Sequence, residues 1–266
     1  MDNPSVLLYG PLKARIEDRP MPAIRDPGDI IVRIAYTGVH FWLNGGIRSF
    51  VSESAPEGIH LEPLAVAVHA IRLADVRPGH RLVVFGAGTV GLFCAVVARE
   101  FGASTVISVD LLPGKLDVAR KLVGAEVSRS WVPNSSYTAE ENAQDLMETY
   151  ELEDGADIVI DATGAESSVQ TAMCILQPGG TYMQVGMGKR NIQFPIAEIC
   201  ERELSVKGSY RYGPGDFELA MSLVQRERIK FDGLITGEFS FEQAPEAWES
   251  TRRGDGVKNV IKGPGD

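Results

Sequence analysis

Cysteine is scarce in this chain. Its 266 residues hold three, Cys94, Cys174 and Cys200, far apart and odd in number, with no Cys-x-x-Cys pair. That excludes a disulfide framework. Cys94 and Cys174 fall inside apolar helical patterns and read as small buried hydrophobes rather than reactive thiols. Positive charge is also short, with 26 Lys and Arg against 36 Asp and Glu, for a net charge of −10 and a pI near 5.0. A nucleic-acid partner needs a basic face that displaces counterions, so it is excluded. No apolar run approaches the roughly 18 residues of a membrane span. The opening Met1-Asp2-Asn3-Pro4 lacks the basic-then-apolar layout of a signal peptide. These absences predict a cytoplasmic protein with no nucleic-acid or membrane partner.

What is present is ordinary globular material, 44% hydrophobic and 23% charged, enough to bury a core in one or two domains. Residues 1–60 read as short strands broken by Pro and Gly: one over 5–8, one over 30–36, and a Gly-rich turn at Asn44-Gly45-Gly46. From about 63 to 230 the pattern alternates. Strands are predicted over 81–85, 105–110, 156–161, 181–186 and 204–210. Helical spacing covers 90–101, 115–123, 140–150, 167–176 and 216–225. Apolar, β-branched strands alternating with helices predict an α/β fold, a doubly wound parallel sheet covered on both faces. The tail returns to strands over 237–241 and 258–262 around a helix over 245–251. The predicted domains are 1–62, 63–230 and 231–266.

The sharpest motif is Gly86-Ala87-Gly88-Thr89-Val90-Gly91, between the strand ending at Phe85 and the helix that follows. In such a turn Gly86 permits the tight bend and Gly88 leaves room for a pyrophosphate. Gly91 lets the helix lie close to the strand, and the helix N-terminus offers N–H groups and partial positive charge. The second strand ends in Asp110, 19 residues past Gly91, where a carboxylate accepts from both ribose hydroxyls. The same carboxylate repels a 2′-phosphate, so NAD is expected rather than NADP.

Three stretches carry a resemblance: Glu62-Pro63-Leu64-Ala65-Val66-Ala67-Val68-His69-Ala70, then Val83 to Gly91, then Lys207-Gly208-Ser209-Tyr210-Arg211-Tyr212-Gly213. They resemble the zinc-type medium-chain dehydrogenases, in particular the polyol branch of xylitol, sorbitol and arabinitol dehydrogenases. The resemblance implies a Rossmann domain joined to a GroES-like β-barrel, here a truncated remnant. It implies hydride transfer from a secondary alcohol of a sugar alcohol to NAD, giving the ketose, in a homo-oligomer joined through a sheet edge at 204–210 or 181–185. By position it places Val90 on the pyrophosphate and Asp110 with Lys115 on the adenosine ribose. Val185 and Gly186 would line the nicotinamide pocket, with Arg211 on the nicotinamide and substrate side. Lys115 reads equally well as a solvated helix residue.

The sequence departs from that family where the barrel supplies zinc. The family's Cys-bearing stretch is replaced by Gly38-Val39-His40-Phe41-Trp42, and no Gly-His-Glu occurs. Of the expected ligands only Glu62 survives, and a catalytic zinc takes about three protein ligands plus an open position. His60 and Glu62 would share a face if that segment were a strand, with His40 and His69 nearby. The plainer reading is four scattered histidines: His69 packed in a helix, His80 in a turn, His40 and His60 on the surface. Two functions follow: an NAD-dependent polyol dehydrogenase, or an NAD-binding chain without dehydrogenase activity because its zinc ligands are absent.

Overall fold

The computed structural model describes residues 3–10, 13–26, 34–41, 47–52 and 56–264. In chain order come β1 (Asn3–Gly10), β2 (Lys13–Arg19), β3 (Tyr36–Phe41) and β4 (Ile47–Ser52). After a 3-10 turn (Pro56–His60) follow α1 (Leu61–Ala74), β5 (Arg81–Phe85), α2 (Thr89–Glu100), β6 (Thr105–Val109), α3 (Pro113–Val123) and β7 (Ser128–Trp131). Next are α4 (Ala139–Thr149), β8 (Ala156–Asp161), α5 (Glu166–Ile175), β9 (Leu176–Gln184), α6 (Ile196–Glu201), β10 (Ser205–Gly208) and α7 (Asp216–Gln225). Last come β11 (Ile235–Phe239), α8 (Ala244–Arg253) and β12 (Lys258–Lys262). The chain divides into two compact units, Met1–His60 with Phe231–Asp266, and Leu61–Lys230.

The first unit holds the antiparallel pair β1–β2 and a four-stranded sheet in the order β11-β12-β3-β4. On α8, Ala244, Ala247 and Trp248 fall at helical spacing and bury one face with Ile261, against which Val6 and Phe239 pack. Of the described residues of the strand expected over 30–36, Tyr36 alone lies in a strand. Ile34 and Ala35 precede β3, and 30–33 lie outside the described residues, as does the turn at 44–46.

The second unit is a six-stranded parallel sheet in the order β10-β9-β8-β5-β6-β7, doubly wound in the Rossmann manner. Its central strands are apolar because both faces are covered: Leu82, Val83, Val84 and Phe85 of β5 and Ile158, Val159 and Ile160 of β8 are buried. Burying each such Val, Leu, Ile or Phe stabilises by about 1.5–3 kcal/mol relative to exposure. The helix α2 is buried along nearly its whole length, which explains a run as uniformly apolar as Leu92 to Ala98. Register aligns the strand ends: Phe85 pairs with both Val109 and Asp161, and Asp161 pairs with Gln184. The chain winds outward from β5 through β6 to β7, then returns to β8 on the other flank of β5. That reversal opens a crevice at the C-terminal ends of β5 and β8, where doubly wound sheets take their ligands.

Two expectations need correction. The strand expected over 181–186 begins at Leu176 and stops at Gln184, so Val185 and Gly186 lie beyond it. Nor can 181–185 form a sheet edge, because β9 is bonded to β8 on one side and β10 on the other. On this flank the edge strand is β10, exposed throughout.

Candidate functional site

The glycine turn caps the C-terminal end of β5. Gly86 has φ +94°, a left-handed conformation that β-carbon-bearing residues rarely take. A Cβ on Gly91 would stand 1.7 Å from the Gly86 carbonyl oxygen, so that position must be glycine for α2 to start where it does. Gly88 differs. Its backbone is ordinary and extended (φ −77°, ψ 179°), and a Cβ built there would meet no atom within 4 Å. The protein therefore needs no glycine at 88 for its own packing, and the missing side chain leaves an open hollow at the N-terminus of α2, which no side chain caps. Val90 lies half-buried in the first turn of that helix.

Asp110 follows β6 and closes the hollow from the side. Its Oδ2 accepts the Ala87 N–H at 2.8 Å and its Oδ1 the Leu112 N–H at 2.9 Å. Sequence spacing alone brings the turn and the acid into one region; the structure joins them by a direct hydrogen bond. Lys115 is half-buried in the first turn of α3.

On the other side of the crevice, Val185 and Gly186 both donate their N–H to the Asp161 backbone carbonyl, at 2.8 and 2.7 Å. A Cβ on Gly186 would come within 2.5 Å of the Ala162, Thr163 and Gly164 backbone, so the segments after β8 and β9 press together without room for a side chain. Ser209 continues the arrangement by donating its N–H to the Gln184 carbonyl at 2.8 Å. Arg211 is exposed at φ +60°, with its guanidinium 5.4 Å from the Tyr210 ring centroid.

Sequence reasoning missed two buried carboxylates here. Asp216, at the start of α7, accepts from the Gly213 N–H (2.8 Å), from Arg72 (2.5 Å) and, at 2.7 Å, pairs with His69 Nδ1. Burial works to raise its pKa, but the Gly213 N–H, Arg72 and His69 outweigh it and hold the carboxyl below the usual range. The cluster pins the 209–215 loop, and Arg211 with it, to α1. The signal was faint, because His69 and Asp216 are 147 residues apart. The second, Asp161, is fully buried at the end of β8.

Zinc finds no fit among the described residues. Glu62 stands half-buried in the first turn of α1, and His60 ends a 3-10 turn, so the strand that would have given them a common face does not exist. His60 is buried, not on the surface; burial first, and the nearby Lys258 charge second, lower its pKa to about 3 and keep the imidazole neutral. His69 is engaged with Asp216, His80 Nδ1 accepts from the Arg77 N–H, and the His40 side chain lies outside the described residues. Cys94 is buried with its thiol pushed up to about 12 by desolvation, while Cys174 and Cys200 belong to α5 and α6. No group of three His, Cys, Asp or Glu able to hold a metal ion occurs among the described residues.

Residues 89–226 match the family described as zinc-binding dehydrogenase. The chain belongs to that family. It is 36% identical to D-xylulose reductase A of Aspergillus oryzae over 350 aligned positions, which take in 98% of this chain and 97% of the relative. The alignment is thus 84 positions longer than the 266 residues of the chain (350 − 266), and segments of the relative have no counterpart here. Among solved structures, an oxidoreductase/dehydrogenase of unknown specificity from Escherichia coli superposes with a TM-score of 0.82 at 19% identity, covering 98% of this chain and 99% of that one. L-idonate 5-dehydrogenase of Escherichia coli K-12 superposes with a TM-score of 0.67 at 25% identity, covering 82% of this chain and 63% of its own. The family resemblance and the Rossmann sheet drawn from sequence are both borne out. No described helix is long and apolar enough to cross a membrane.

Proposed function

We propose that this chain is an NAD-dependent polyol dehydrogenase, interconverting a small sugar alcohol and its ketose. The observation that carries the proposal is the hollow at Gly88, walled by the Asp110–Ala87 hydrogen bond, in a chain matched end to end with a D-xylulose reductase. The residues fit a dinucleotide. Gly88 and the N-terminal turn of α2 with Val90 receive the pyrophosphate, the backbone supplying donors and the helix partial positive charge. Asp110 and Lys115 hold the adenosine ribose, and the Asp110 carboxylate favours NAD over NADP because a 2′-phosphate would face a like charge. Val185 and Gly186 line the nicotinamide pocket, and Arg211 stands on its substrate side. When bound, the nicotinamide accepts hydride from the secondary alcohol. The chain's part is to fix the orientation of that ring and to exclude water from it. Since zinc has no fitting donor set among the described residues, no step is assigned to Glu62.

The protein works as a cytoplasmic homo-oligomer on a small molecule, with no nucleic-acid or membrane partner. The exposed edge strand β10 supports a subunit seam, since its free backbone groups can pair with a second copy.

The test is NADH formation, followed by its absorbance, with xylitol, sorbitol and arabinitol in turn, with zinc supplied and with zinc withheld. Turnover of one polyol with NAD is expected. No turnover with any of them while NADH still binds by calorimetry would replace the enzyme by a nucleotide-binding chain. Absence of binding as well would overturn both.

A further inference from the structure

Behind Gly186 lies a row of polar groups, buried at Asp161 and Tyr182 and half-buried at Gln184, whose donors and acceptors can be assigned one by one. Asp161 and Tyr182 are respectively 0% and 1% exposed. Asp161 Oδ1 accepts three hydrogen bonds, from the Thr163 N–H (2.6 Å), the Thr163 hydroxyl (2.7 Å) and the Gly164 N–H (2.9 Å). Its other oxygen, Oδ2, lies 3.3 Å from the Tyr182 hydroxyl. That hydroxyl also contacts the Gln184 side-chain oxygen, and Gln184 Nε2 donates to the Gly186 carbonyl at 2.7 Å.

The orientation of Gln184 is set by its far end. The Gly186 carbonyl can only accept, so the amide nitrogen must face it, and the amide oxygen must face Tyr182. Tyr182 has one proton. It goes to Gln184, the nearer partner, which leaves the phenol oxygen to act as acceptor toward Asp161 Oδ2. A carboxylate there would be a second acceptor facing a lone pair; a carboxylic acid donates its proton and completes the row. No cation is among the partners of Asp161 in the described residues, and burial is the largest influence on its pKa and raises it, against the opposing N–H and hydroxyl donors of Thr163 and Gly164.

We infer that Asp161 is held as the neutral acid and that the directed row Asp161–Tyr182–Gln184 aims the Gly186 carbonyl into the crevice, making these three side chains positioning residues for the nicotinamide carboxamide. The inference deepens the proposed function and rests on its placing of Gly186 at the nicotinamide. Each member donates to the next and the row ends on a backbone carbonyl, whose second lone pair can accept an amide N–H of the ring substituent. The approach of Gly186 to the 162–164 backbone leaves that carbonyl little freedom to turn by itself.

Infrared difference spectra of the full chain at neutral pH, wild type against Asp161→Asn, should show a protonated carboxylic-acid carbonyl band that the variant lacks. Asn keeps an accepting oxygen toward Thr163 and Gly164 and an N–H donor toward Tyr182, so Asp161→Asn should bind NADH within about threefold of wild type. Tyr182→Phe and Gln184→Leu each break the row and should weaken NADH binding by roughly five- to tenfold, the equivalent of one hydrogen bond. All three should bind ADP-ribose, which has no nicotinamide, as wild type does; this is a readout that general damage to the fold would move. Absence of the infrared band overturns the neutral acid. Wild-type NADH affinity in Tyr182→Phe, or an equal loss of ADP-ribose, overturns the positioning role. A wild-type protein that bound neither NADH nor ADP-ribose would instead overturn the site reading, and the positioning role with it, while the infrared band still decides the proton.

Discussion

Replacing Gly88 with Ala separates a nucleotide cradle from a glycine turn that binds nothing. At this position the backbone is extended and the added methyl would meet no protein atom within 4 Å. The fold has no reason to resist it. Removing the conformational freedom of a glycine from the unfolded chain favours the fold by about 0.4–1 kcal/mol, which the poorer fit of alanine at the N-cap of α2 offsets by a similar amount, so Tm should stay close to that of the wild type. The same methyl occupies the hollow in which a pyrophosphate would approach the N-terminus of α2. Displacing the phosphates weakens charge-assisted hydrogen bonds from the turn, each contributing about 1.5–3 kcal/mol. If one is lost, NADH binding falls by about 1.5–3 kcal/mol, or roughly 10- to 150-fold. Isothermal calorimetry with NADH and differential scanning calorimetry on the same preparation give the two readings. A nearly unchanged Tm with affinity lost is the expected pair. A Gly88→Ala protein that binds NADH as tightly as the wild type would refute the assignment of the pyrophosphate to this turn.

Other perturbations act on different links. Gly91→Ala drives a methyl to within 1.7 Å of the Gly86 carbonyl oxygen. It should therefore cost at least about 1–3 kcal/mol of stability, read as a lowered Tm without nucleotide. Asp110→Asn removes the charge that repels a 2′-phosphate while keeping one acceptor, and should raise the NADPH to NADH affinity ratio by about tenfold, one pKa-unit equivalent of charge interaction; an unchanged ratio counts against the ribose assignment. Asp216 has a depressed pKa in the folded state. Its stabilisation is therefore present above the ordinary carboxylate value near pH 4 and is lost as pH falls through the lower folded value, so Asp216→Asn should flatten the acid limb of a Tm-against-pH curve.

How much was legible in sequence depended on how local the cause is. The strands over 81–85, 156–161 and 258–262 and the helix over 216–225 follow from apolar periodicity and breakers within the segment itself. Helix α1 was read only at His69, as packed in a helix, and was given no bounds, because its run of small apolar residues carries no strong period. The strand β7 was missed because Ser128-Arg129-Ser130-Trp131 is too short and polar to signal a strand; it forms because β6 offers it a parallel edge. In the site, the glycine turn and Asp110 were legible because strand, turn, helix and acid follow one another at fixed spacing. Asp161, Tyr182 and Gln184 were not, since Asp161 meets the other two only through the parallel register that sets it opposite Gln184. The faint trace was Tyr182 and Gln184 two apart on one strand, sharing a face beside a strand that ends in an acid.

That register also decides which parts of the function can fail separately. Several residues of the candidate site lie one or two positions past a strand end: Gly86 after Phe85, Asp110 after Val109, Val185 and Gly186 after Gln184. Their positions are fixed by apolar burial in β5, β6, β8 and β9 and by backbone hydrogen bonds, all inside the Leu61–Lys230 unit. The residues assigned to direct contact with the nucleotide include no imidazole or thiol and no carboxylate beyond Asp110, so the cradle is expected to form without a metal ion. NADH binding measured by calorimetry before and after exhaustive dialysis against a chelator should therefore agree within about twofold. A large loss of affinity on chelation would mean that metal and nucleotide sites are coupled through the first unit, and that the cradle is not preorganised by the sheet alone.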